Sequence, residues 1–348
     1  MKISIVIATY NSMKTLPKVI NSLKKQTLSK KDFEIICVDG GSTDKTLDYI
    51  KEQELILINN QKKEPVYAKF LGFQNARGKY LVYLDHDEEI QNKHSLELKL
   101  KVFEENPNLK ALAPTGYINP KGCHYINNYI NEFGDPFSYF IYNISKNKDF
   151  YISTMKSKMG IFRDEPDYII FKVDRNQQLL LIELLAGGSM FDLDFVKKFF
   201  PRTKKDYTIL THLYYMITEK NPFFAITKND SIVHYSSDSL AGYFKKIEWR
   251  IKNNIYFKND LGKSGFTGRE EITNGSFKKY LFIPYSFSVI FPLFDSIYLS
   301  FTRRNFSMMI HFPLTVYTAL LICYHLFLYK IGYKMNLTTY DGKTKITN

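Results

Sequence analysis

Two acidic side chains at the end of a short apolar run are the first candidates for chemistry. The run at 80–84 leads directly into Asp85 and, two residues on, Asp87. Alternate side chains of an extended segment project to the same side, so this pair can address one ligand. Two carboxylates repel each other unless a cation lies nearby, and Mg2+ or Mn2+ accepts oxygen ligands from protein and phosphate together. The pattern predicts a divalent cation site. The alternative is a solvated acidic turn, because Glu88 and Glu89 follow.

The elements that must position this pair are predicted to be strands and helices in alternation. Nearly continuous apolar runs predict buried strands, and apolar residues at helical spacing predict the helices between them. Such alternation is typical of an α/β, doubly wound sheet, which binds ligands at the carboxyl ends of its strands. The dinucleotide fingerprint GxGxxG is missing after the first strand and GxxxxGK[ST] is absent, which excludes a dehydrogenase and a P-loop enzyme. The predicted strands lie at 2–9, 33–38, 55–58 and 80–84, and the predicted helices at 16–23, 44–53 and 66–76.

Length and composition limit the classes to which the protein can belong. A chain of 348 residues predicts one main domain with an appendage. The net charge of +13 indicates an anionic partner, although no nucleic-acid reader motif is present. The dispersed Cys37, Cys123 and Cys323 argue against a disulfide framework or a structural zinc site. The chain enters its first strand directly, without a secretory signal, so we expect a cytoplasmic catalytic part.

Five segments occur in the order found in family 2 glycosyltransferases of the GT-A fold, which residues 1–255 resemble. The resemblance implies a Rossmann-like doubly wound mixed sheet and inverting transfer from a nucleotide-diphosphate sugar, UDP- or GDP-linked, with Mn2+ or Mg2+ as cofactor. It implies a nucleotide-sugar half at 1–115 and an acceptor half at 116–255. The five segments are 9–11 with its preceding strand, 39–44, 76–80, 84–87 and 187–191.

The resemblance assigns the donor pocket to two loops. Thr9, Asn11 and Asp39 would line the base and ribose. Asp85 would face the ribose and contribute to the metal site, and Asp87 would bind the metal that bridges the diphosphate. His86, between them, occupies a variable position. The alternative role for Asp39 is to cap its own turn.

Other site residues are implied further along the chain. Lys69 stands where many relatives have arginine; it would neutralise phosphate as a point charge, or be an ordinary exposed lysine. Gly187 and Gly188 would let the backbone approach the donor sugar. His234 would complete the metal's coordination, or be a surface histidine. Arg250 would contact a diphosphate or an anionic headgroup, or belong to a solvated basic face.

The resemblance makes Asp206 the catalytic base. Lys205 replaces the glutamate that usually precedes this aspartate. A carboxylate at this place is also favoured as a helix cap, independently of catalysis. The sequence 248–250 differs from the Gln-x-x-Arg-Trp motif of processive relatives, which argues against a polymer synthase.

Two segments of the acceptor half are less regular in their pattern. The stretch 117–168 is rich in Tyr, Asn, Phe and Gly and has no clear period, so we expect a long irregular acceptor segment. The run 179–185 is strand-like or buried. A helix is expected over 207–219, and the last strand of the catalytic fold at 232–235.

The C-terminal region, 256–348, is predicted to be hydrophobic, helical and membrane-associating. The stretches 281–301 and 308–329 are each close to the roughly 20 residues that span a bilayer, but prolines and polar residues interrupt both. Helices lying in the interface, with Arg303 and Arg304 among headgroups, fit this pattern best. A membrane hairpin and a soluble core or dimer surface are the alternatives. The end of the chain, from 336, is expected to be a polar cytoplasmic terminus.

Together these features predict sugar transfer at the cytoplasmic face of the cell membrane. The acceptor would be lipid-linked, such as a polyprenyl phosphate or a lipid-diphosphate oligosaccharide. One alternative acceptor is a capsule or other surface polysaccharide precursor. An alternative of another class is a non-catalytic membrane scaffold that retains the fold, a hypothesis encouraged by Lys69 and Lys205.

Overall fold

The computed structural model describes residues 1–174, 180, 182–272 and 277–339. Its strands are β1 (Ile3–Thr9), β2 (Phe33–Asp39), β3 (Ile56–Asn59), β4 (Tyr80–Asp85), β5 (Glu88–Ile90), β6 (Ala111–Ala113), β7 (Gly116–Ile118), β8 (Gly160–Asp164), β9 (Tyr168–Lys172), β10 (Ser189–Asp192), β11 (Phe223–Thr227) and β12 (Ser231–His234). Its helices are α1 (Leu16–Lys24), α2 (Thr46–Glu52), α3 (Pro65–Asn75), α4 (Ser95–Glu105), α5 (Ile126–Phe133), α6 (Pro136–Tyr142), α7 (Tyr151–Lys156), α8 (Leu193–Phe199), α9 (Leu213–Lys220), α10 (Leu240–Tyr256), α11 (Phe266–Ile272), α12 (Lys278–Phe287), α13 (Ile290–Thr302) and α14 (His311–Lys330). Short 3-10 helices occupy 201–204, 208–212, 261–264 and 306–310.

A mixed sheet of nine strands forms the centre of the catalytic part. Its order is β3-β2-β1-β4-β10-β6-β11-β9-β8. The first four strands of this order are parallel, and β10 runs antiparallel to both β4 and β6. The predicted α/β, doubly wound mixed sheet is therefore confirmed. Strands from both sides of the 115/116 boundary contribute to this one sheet.

Burial on both faces explains the continuous apolar runs of β1 and β4. Val6 and Tyr83 pack into the apolar cluster on one face, and Ile7 and Leu84 into the cluster on the other. Helix α3 approaches the first face closely at Gly72, where an added Cβ would lie 2.2 Å from a methyl carbon of Val6. Strands β1 and β4 are thus held in place by apolar clusters on both faces of the sheet.

The acceptor half is more regular than expected. The expectation of a long irregular segment at 117–168 was wrong, because this stretch forms α5, α6, α7 and β8. Helix α5 has apolar residues at helical spacing, and its polar face is buried as well, since Asn127, Asn131 and Glu132 are all buried. A second sheet, β5-β12-β7, joins this half to the carboxylate loop.

Two further element predictions are met only in part. In the run 179–185, predicted to be strand-like or buried, residues 179 and 181 lie outside the described part. Residues 182–185 are not a strand, since the strand is β10, which begins at Ser189, but Leu180, Ile182, Leu184 and Leu185 are buried. The single helix expected over 207–219 is divided into a 3-10 helix at 208–212 and α9. The predicted last strand at 232–235 is confirmed as β12.

The C-terminal helices pack onto the acceptor half. Leu299, Met308 and Leu314 share one apolar cluster with residues of α5 and α10. Helices α12 and α13 meet at an angle of 90°, and Val289 at their junction has a φ of +63°. The stretch Phe306–Lys330 is long and apolar enough to cross a membrane by length and composition. Of the polar terminus expected from 336, the part at 340–348 lies outside the described residues.

The expected placement of Arg303 among headgroups does not match the structure. Its Nε donates to Oε1 of buried Glu132 at 2.6 Å, and its guanidinium lies 4.1 Å from the ring centroid of Phe150. An acidic partner in α5 therefore draws Arg303 inward, whereas Arg304 stays exposed.

A fully buried ion pair fixes α4 to the loop between β11 and β12. Lys99 Nζ lies 2.6 Å from Asp230 Oδ2, and neither side chain is exposed. The same carboxylate oxygen accepts from the hydroxyl of Thr227 at 2.8 Å. A charge in this position is tolerated because its partner is present.

We expect Asp230→Ala to lower the free energy of unfolding by about 3–5 kcal/mol, because it leaves the Lys99 ammonium buried without its carboxylate. Urea unfolding would measure this loss. Asp167→Ala is the matched control, because it removes an ion pair with Lys101 in which both side chains are half exposed, and it should stay close to the unsubstituted protein. Equal losses in the two variants would contradict the assignment.

Candidate active site

The sheet brings the predicted donor residues to one edge. Parallel pairing places Thr9 opposite Asp39 on β2 and Ala8 opposite Asp85 on β4. The carboxyl ends of these three strands therefore carry their polar side chains side by side. This is the ligand-binding edge of a doubly wound sheet.

The carboxylate of Asp39 is occupied by its own loop. Its Oδ1 accepts from the backbone N–H groups of Gly41 and Ser42 at 2.9 and 2.7 Å. Its Oδ2 accepts from the hydroxyls of Thr9 and Ser42 at 2.8 and 2.6 Å. Asn11 Oδ1 accepts from the backbone N–H of Thr43 at 2.8 Å. These side chains shape the turn, as the alternative reading of Asp39 predicts; their contact with a nucleoside remains a prediction.

Lys69 is a buried partner of the first carboxylate. Its Nζ lies 2.6 Å from Asp85 Oδ1, and the residue is 8% exposed, so it is not an exposed helix lysine. The hydroxyl of Tyr83 on β4 donates to the Lys69 carbonyl at 3.0 Å and fixes this point of α3. Burial acts to lower the pKa of Lys69, but the Asp85 carboxylate outweighs it and raises the pKa, so the ammonium stays charged.

Asp87 faces His234 across a gap suited to a shared ligand. Asp87 Oδ2 lies 3.7 Å from His234 Nε2, too long for a hydrogen bond. His234 Nδ1 is buried without a hydrogen-bond partner in the described structure. Burial acts to raise the pKa of Asp87, but the nearby imidazoles of His234 and His86 outweigh it and lower the pKa. The alternative of a surface histidine does not fit His234, because its side chain is mostly buried.

These two side chains fit a divalent cation in part. Carboxylate oxygen and imidazole nitrogen are both acceptable to Mn2+. Across residues 1–174, 180, 182–272 and 277–339, no group of three His, Cys, Asp or Glu side chains forms a ready cation cage. Asp87 and His234 would therefore hold the ion together with substrate phosphate and water, the usual arrangement for a hard ion at a phosphate site. Asp85 is also a predicted metal ligand, but its carboxylate is already paired with the Lys69 ammonium.

Glu88 is the site residue that the sequence-based reasoning missed. It is 1% exposed rather than solvated. Its Oε2 accepts from the backbone N–H groups of Asp85 and Gly187 at 2.8 and 2.6 Å, and its Oε1 from the hydroxyl of Tyr117 at 2.7 Å. Burial, with the neighbouring Asp85, raises the pKa of Glu88 to about 8. The alternation of Glu88, Glu89 and Ile90, with the first and third turned inward, is the signal that could have revealed it.

The glycine turn lies against the same network. Gly187 and Gly188 have φ of +67° and +69°, which other residues rarely adopt. A Cβ on Gly187 would lie 3.0 Å from the Tyr117 hydroxyl. A small pocket beside this turn is lined also by Lys146 and Glu183. Lys146 Nζ lies 2.7 Å from Glu183 Oε2 and lowers the pKa of Glu183 to about 2.

Asp206 lies just before a short 3-10 helix beside α3. Its Oδ1 accepts from the backbone N–H and the hydroxyl of Thr208, the first residue of that helix, at 3.0 and 2.6 Å. The ring of the adjacent Tyr207 packs edge-on against Tyr67, with centroids 5.3 Å apart. Asp206 thus sits next to the helix that delivers Lys69. Its side chain shapes the turn into the helix, whose N-cap is Tyr207, and the role as catalytic base remains a prediction.

Arg250 lies on α10 and is already paired. Its Nη1 donates to Asp135 Oδ2 at 2.9 Å, and its side chain is 46% exposed. Burial acts to lower the pKa of Arg250, and the Asp135 carboxylate outweighs it and raises the pKa. An exposed face of the guanidinium is left for a further anion, so contact with diphosphate or a headgroup stays a prediction.

We expect Glu88→Ala to lower the free energy of unfolding by at least about 2 kcal/mol, because it leaves two buried N–H groups and a hydroxyl without an acceptor. Glu88→Gln should recover most of this loss, since an amide oxygen can accept from both N–H groups. Urea unfolding measures both variants. Glu89→Ala is the neighbouring control and should have a small effect; if it equals Glu88→Ala, the network has no special role.

Comparisons with known proteins show which sequences and folds this chain is similar to. The family model described as Glycosyl transferase family 2 matches residues 4–167. A Methanococcus voltae relative, named dolichyl N-acetyl-alpha-D-glucosaminyl phosphate 3-beta-D-2,3-diacetamido-2,3-dideoxy-beta-D-glucuronosyltransferase, is 33% identical over 127 residues, which are 34% of this chain and 39% of that protein. The poly(ribitol-phosphate) beta-glucosyltransferase of Bacillus spizizenii is 38% identical over 97 residues, which are 26% of this chain and 15% of that protein.

A solved structure supports the fold along most of the chain. The mannosyltransferase PcManGT of Pyrobaculum calidifontis, in complex with GDP-Man and Mn2+, has a TM-score of 0.51 at 10% identity and covers 93% of this chain and 87% of that one. The matched stretches span between 15% and 39% of the length of the curated relatives described above. Residues 4–167 of this chain are thus similar to family 2 glycosyltransferase domains, and the predicted GT-A fold is confirmed.

Proposed function

We propose that this protein transfers a sugar from a UDP- or GDP-linked donor to a lipid-linked acceptor at the cytoplasmic face of the membrane, with Mn2+ or Mg2+. The observation that carries the proposal is the pair of opposed contacts at the carboxyl edge of the family 2 domain: Lys69 on Asp85, and His234 facing Asp87. One carboxylate is neutralised by a lysine, and the other is left for a cation. The negative diphosphate of a nucleotide can bind beside two acidic side chains only if their charge is balanced by such cations.

The proposed reaction uses the described side chains in distinct roles. Thr9, Asn11 and Asp39 form the wall beside the base and ribose. Lys69 holds Asp85 in place next to the diphosphate. Asp87 and His234 would hold the cation, which would stabilise the negative charge on the departing diphosphate.

Bond making and breaking occur at the anomeric carbon of the donor. Asp206 accepts the proton of the acceptor hydroxyl, and the acceptor oxygen forms the new bond to that carbon. The bond to the diphosphate oxygen breaks, and its electron pair leaves with the nucleotide. The Gly187 and Gly188 turn gives the sugar room beside the backbone. Inversion is the outcome that the resemblance to the family implies.

The relatives support two acceptor classes. The name of the Methanococcus voltae relative gives a dolichyl-linked phosphate sugar as its acceptor, which favours a lipid-linked acceptor here. The name of the Bacillus spizizenii relative gives poly(ribitol-phosphate), which favours a surface polysaccharide precursor as the alternative. A panel containing extracted polyprenyl-linked sugars and poly(ribitol-phosphate) separates the two.

We expect Asp87→Ala to weaken Mn2+-dependent binding of UDP or GDP at least about tenfold, because one carboxylate ligand of the cation is lost. Calorimetric titration with and without a chelator measures this. Asp48→Ala, a change in an exposed carboxylate on α2, is the control. Nucleotide affinity that is indifferent to chelator would refute the metal role, and a protein that binds neither nucleotide would be the non-catalytic scaffold.

Asp206→Asn should keep nucleotide affinity and lower kcat by about 10²–10⁴, because the amide still accepts from Thr208 but takes no proton. Rates of sugar transfer, with affinity measured in parallel, test this. Asp194→Asn, at an exposed helix carboxylate, should leave the rate unchanged. An undiminished rate in Asp206→Asn would remove this residue from the mechanism.

The membrane part of the proposal stands on exposed aromatic residues of the C-terminal helices. Phe291, Phe301 and Phe306 are 63%, 79% and 83% exposed. The exposed basic residues Arg304, Lys330 and Lys334 lie at the ends of the same helices. Aromatic and basic side chains together suit the boundary between acyl chains and anionic headgroups. The right-angle bend of α12 and α13 fits helices that lie in this boundary.

The double substitution Phe291→Ser and Phe301→Ser should weaken binding to vesicles of phosphatidylcholine and phosphatidylglycerol at least about tenfold, since two aromatic rings no longer insert into the lipid. Vesicle sedimentation measures this. Phe162→Ser, on β8 and 55% exposed, is the matched control. If the double variant instead converts a dimer to a monomer without changing vesicle binding, the apolar face is a dimer surface.

A further inference from the structure

A cavity of about 330 Å³ lies between the acceptor half and α13. We call it the α13 cavity. Its volume falls at the lower end of small-molecule sites. The wall combines aromatic rings with hydroxyl, amide and charged groups. Among the residues that line it are Tyr139, Asn143, Ser145, Thr154, Tyr298 and Arg303.

The α13 cavity shares a wall with the pocket at the glycine turn. Ser145 lines the cavity, and the next residue, Lys146, lines the pocket beside Gly187. Helix α7 contributes to both in the same way, with Thr154 facing the cavity and Tyr151 the pocket. A ligand in the cavity therefore lies next to the place where the donor sugar is proposed to bind.

The charged groups of the cavity wall already have partners within the protein. Arg303 donates to Glu132 and stacks on Phe150. Asp295 Oδ2 accepts from the hydroxyl of Tyr285 at 2.6 Å. The wall is therefore unlike a phosphate site, which needs a cation whose charge is available. A neutral ligand suits it better.

The remaining wall suits a sugar ring. Tyr298, which is half exposed, offers a flat apolar face with a polar tip. Asn143, Ser145 and Thr154 offer amide and hydroxyl groups, which both donate and accept hydrogen bonds, as sugar hydroxyls require. This mixture distinguishes the cavity from a purely apolar groove for an acyl chain.

The cavity opens toward the apolar face of α13. Phe294 and Tyr298 line it and are also 67% and 54% exposed. Phe291 and Phe301 on the same helix are exposed as well. A ligand that carries a lipid could thus place its polar part in the cavity and its lipid along the exposed helix.

We propose that the α13 cavity binds a neutral sugar unit of the acceptor, while the attached lipid lies along the exposed face of α13. This inference rests on the proposed transfer to a lipid-linked acceptor and specifies where that acceptor is held. It places the recognition of the acceptor on C-terminal helices as well as on the family 2 domain. The diphosphate or phosphate of the lipid carrier would remain outside the cavity.

The test uses the full chain and a panel of methyl glycosides of glucose, galactose and N-acetylglucosamine as probes. Saturation-transfer NMR reports contact between the protein and the sugar ring protons. Nucleotide with Mn2+ is added, so that the donor pocket is filled and sugar contacts there are suppressed. Because this measurement needs no transfer, it is independent of the donor titrations that test the proposed activity.

Two pairs of variants locate the contact. Thr154→Trp fills the cavity, whereas Ser153→Trp places the same bulk one residue earlier, at an exposed position outside the cavity wall. Tyr298→Ala removes a wall ring, whereas Tyr324→Ala removes a ring that is similarly exposed, at 55%, on α14. Nucleotide affinity in each variant reports whether the catalytic part is intact.

We expect ring-proton saturation from at least one glycoside, lost in Thr154→Trp and kept in Ser153→Trp. Tyr298→Ala should weaken binding of that glycoside about threefold to tenfold, and Tyr324→Ala should leave it unchanged. Absence of ring saturation for every probe, or ring saturation that persists in Thr154→Trp, would overturn the proposal. Normal nucleotide affinity in that case would leave the proposed activity standing without this cavity.

Discussion

The arrangement of the site depends on one buried carboxylate with three donors. Glu88 receives the backbone N–H of Asp85, the backbone N–H of Gly187 and the hydroxyl of Tyr117. These groups come from three strand ends or turns that are distant in sequence. By gathering them, a single side chain sets the spacing between the acidic loop and the glycine turn. The groups on either side of the proposed donor therefore keep one fixed separation before any ligand arrives, which is the preorganisation that transfer chemistry requires.

Much of the nucleotide half could be predicted because its elements have strong local patterns. The continuous apolar runs of β1 and β4 follow from burial on both faces, and α1 shows one apolar face at helical spacing. Acidic residues at the end of a buried strand locate the edge of the sheet. The sequence could not give the partners of these residues. Lys69 contacts Asp85 because α3 packs on the sheet, and no local pattern encodes that packing.

The acceptor half and the C-terminal helices were harder to predict, because contacts between residues distant in sequence determine their structure. Helix α5 has apolar residues at helical spacing, but its polar side chains Asn127, Asn131 and Glu132 are buried too, which no local pattern predicts. Arg303 finds its carboxylate partner 171 residues earlier in the chain, which a local pattern of charges cannot reveal. Glu88 begins a short strand, where a buried acidic residue is rare, and two of its three donors, Tyr117 and Gly187, are far away in the chain. Each miss reflects tertiary contacts that outweigh local preference.

The tight contact of Gly72 with Val6 has a consequence beyond the core. An added methyl group at Gly72 would overlap the valine, so α3 would have to lift from the sheet. Lys69 lies about one turn earlier on the same rigid helix, and its ammonium reaches the Asp85 carboxylate from there. Even a displacement of α3 too small to unfold the domain would move the Lys69 ammonium away from the Asp85 carboxylate. A residue without any side chain thus controls the electrostatics of a pocket it never touches.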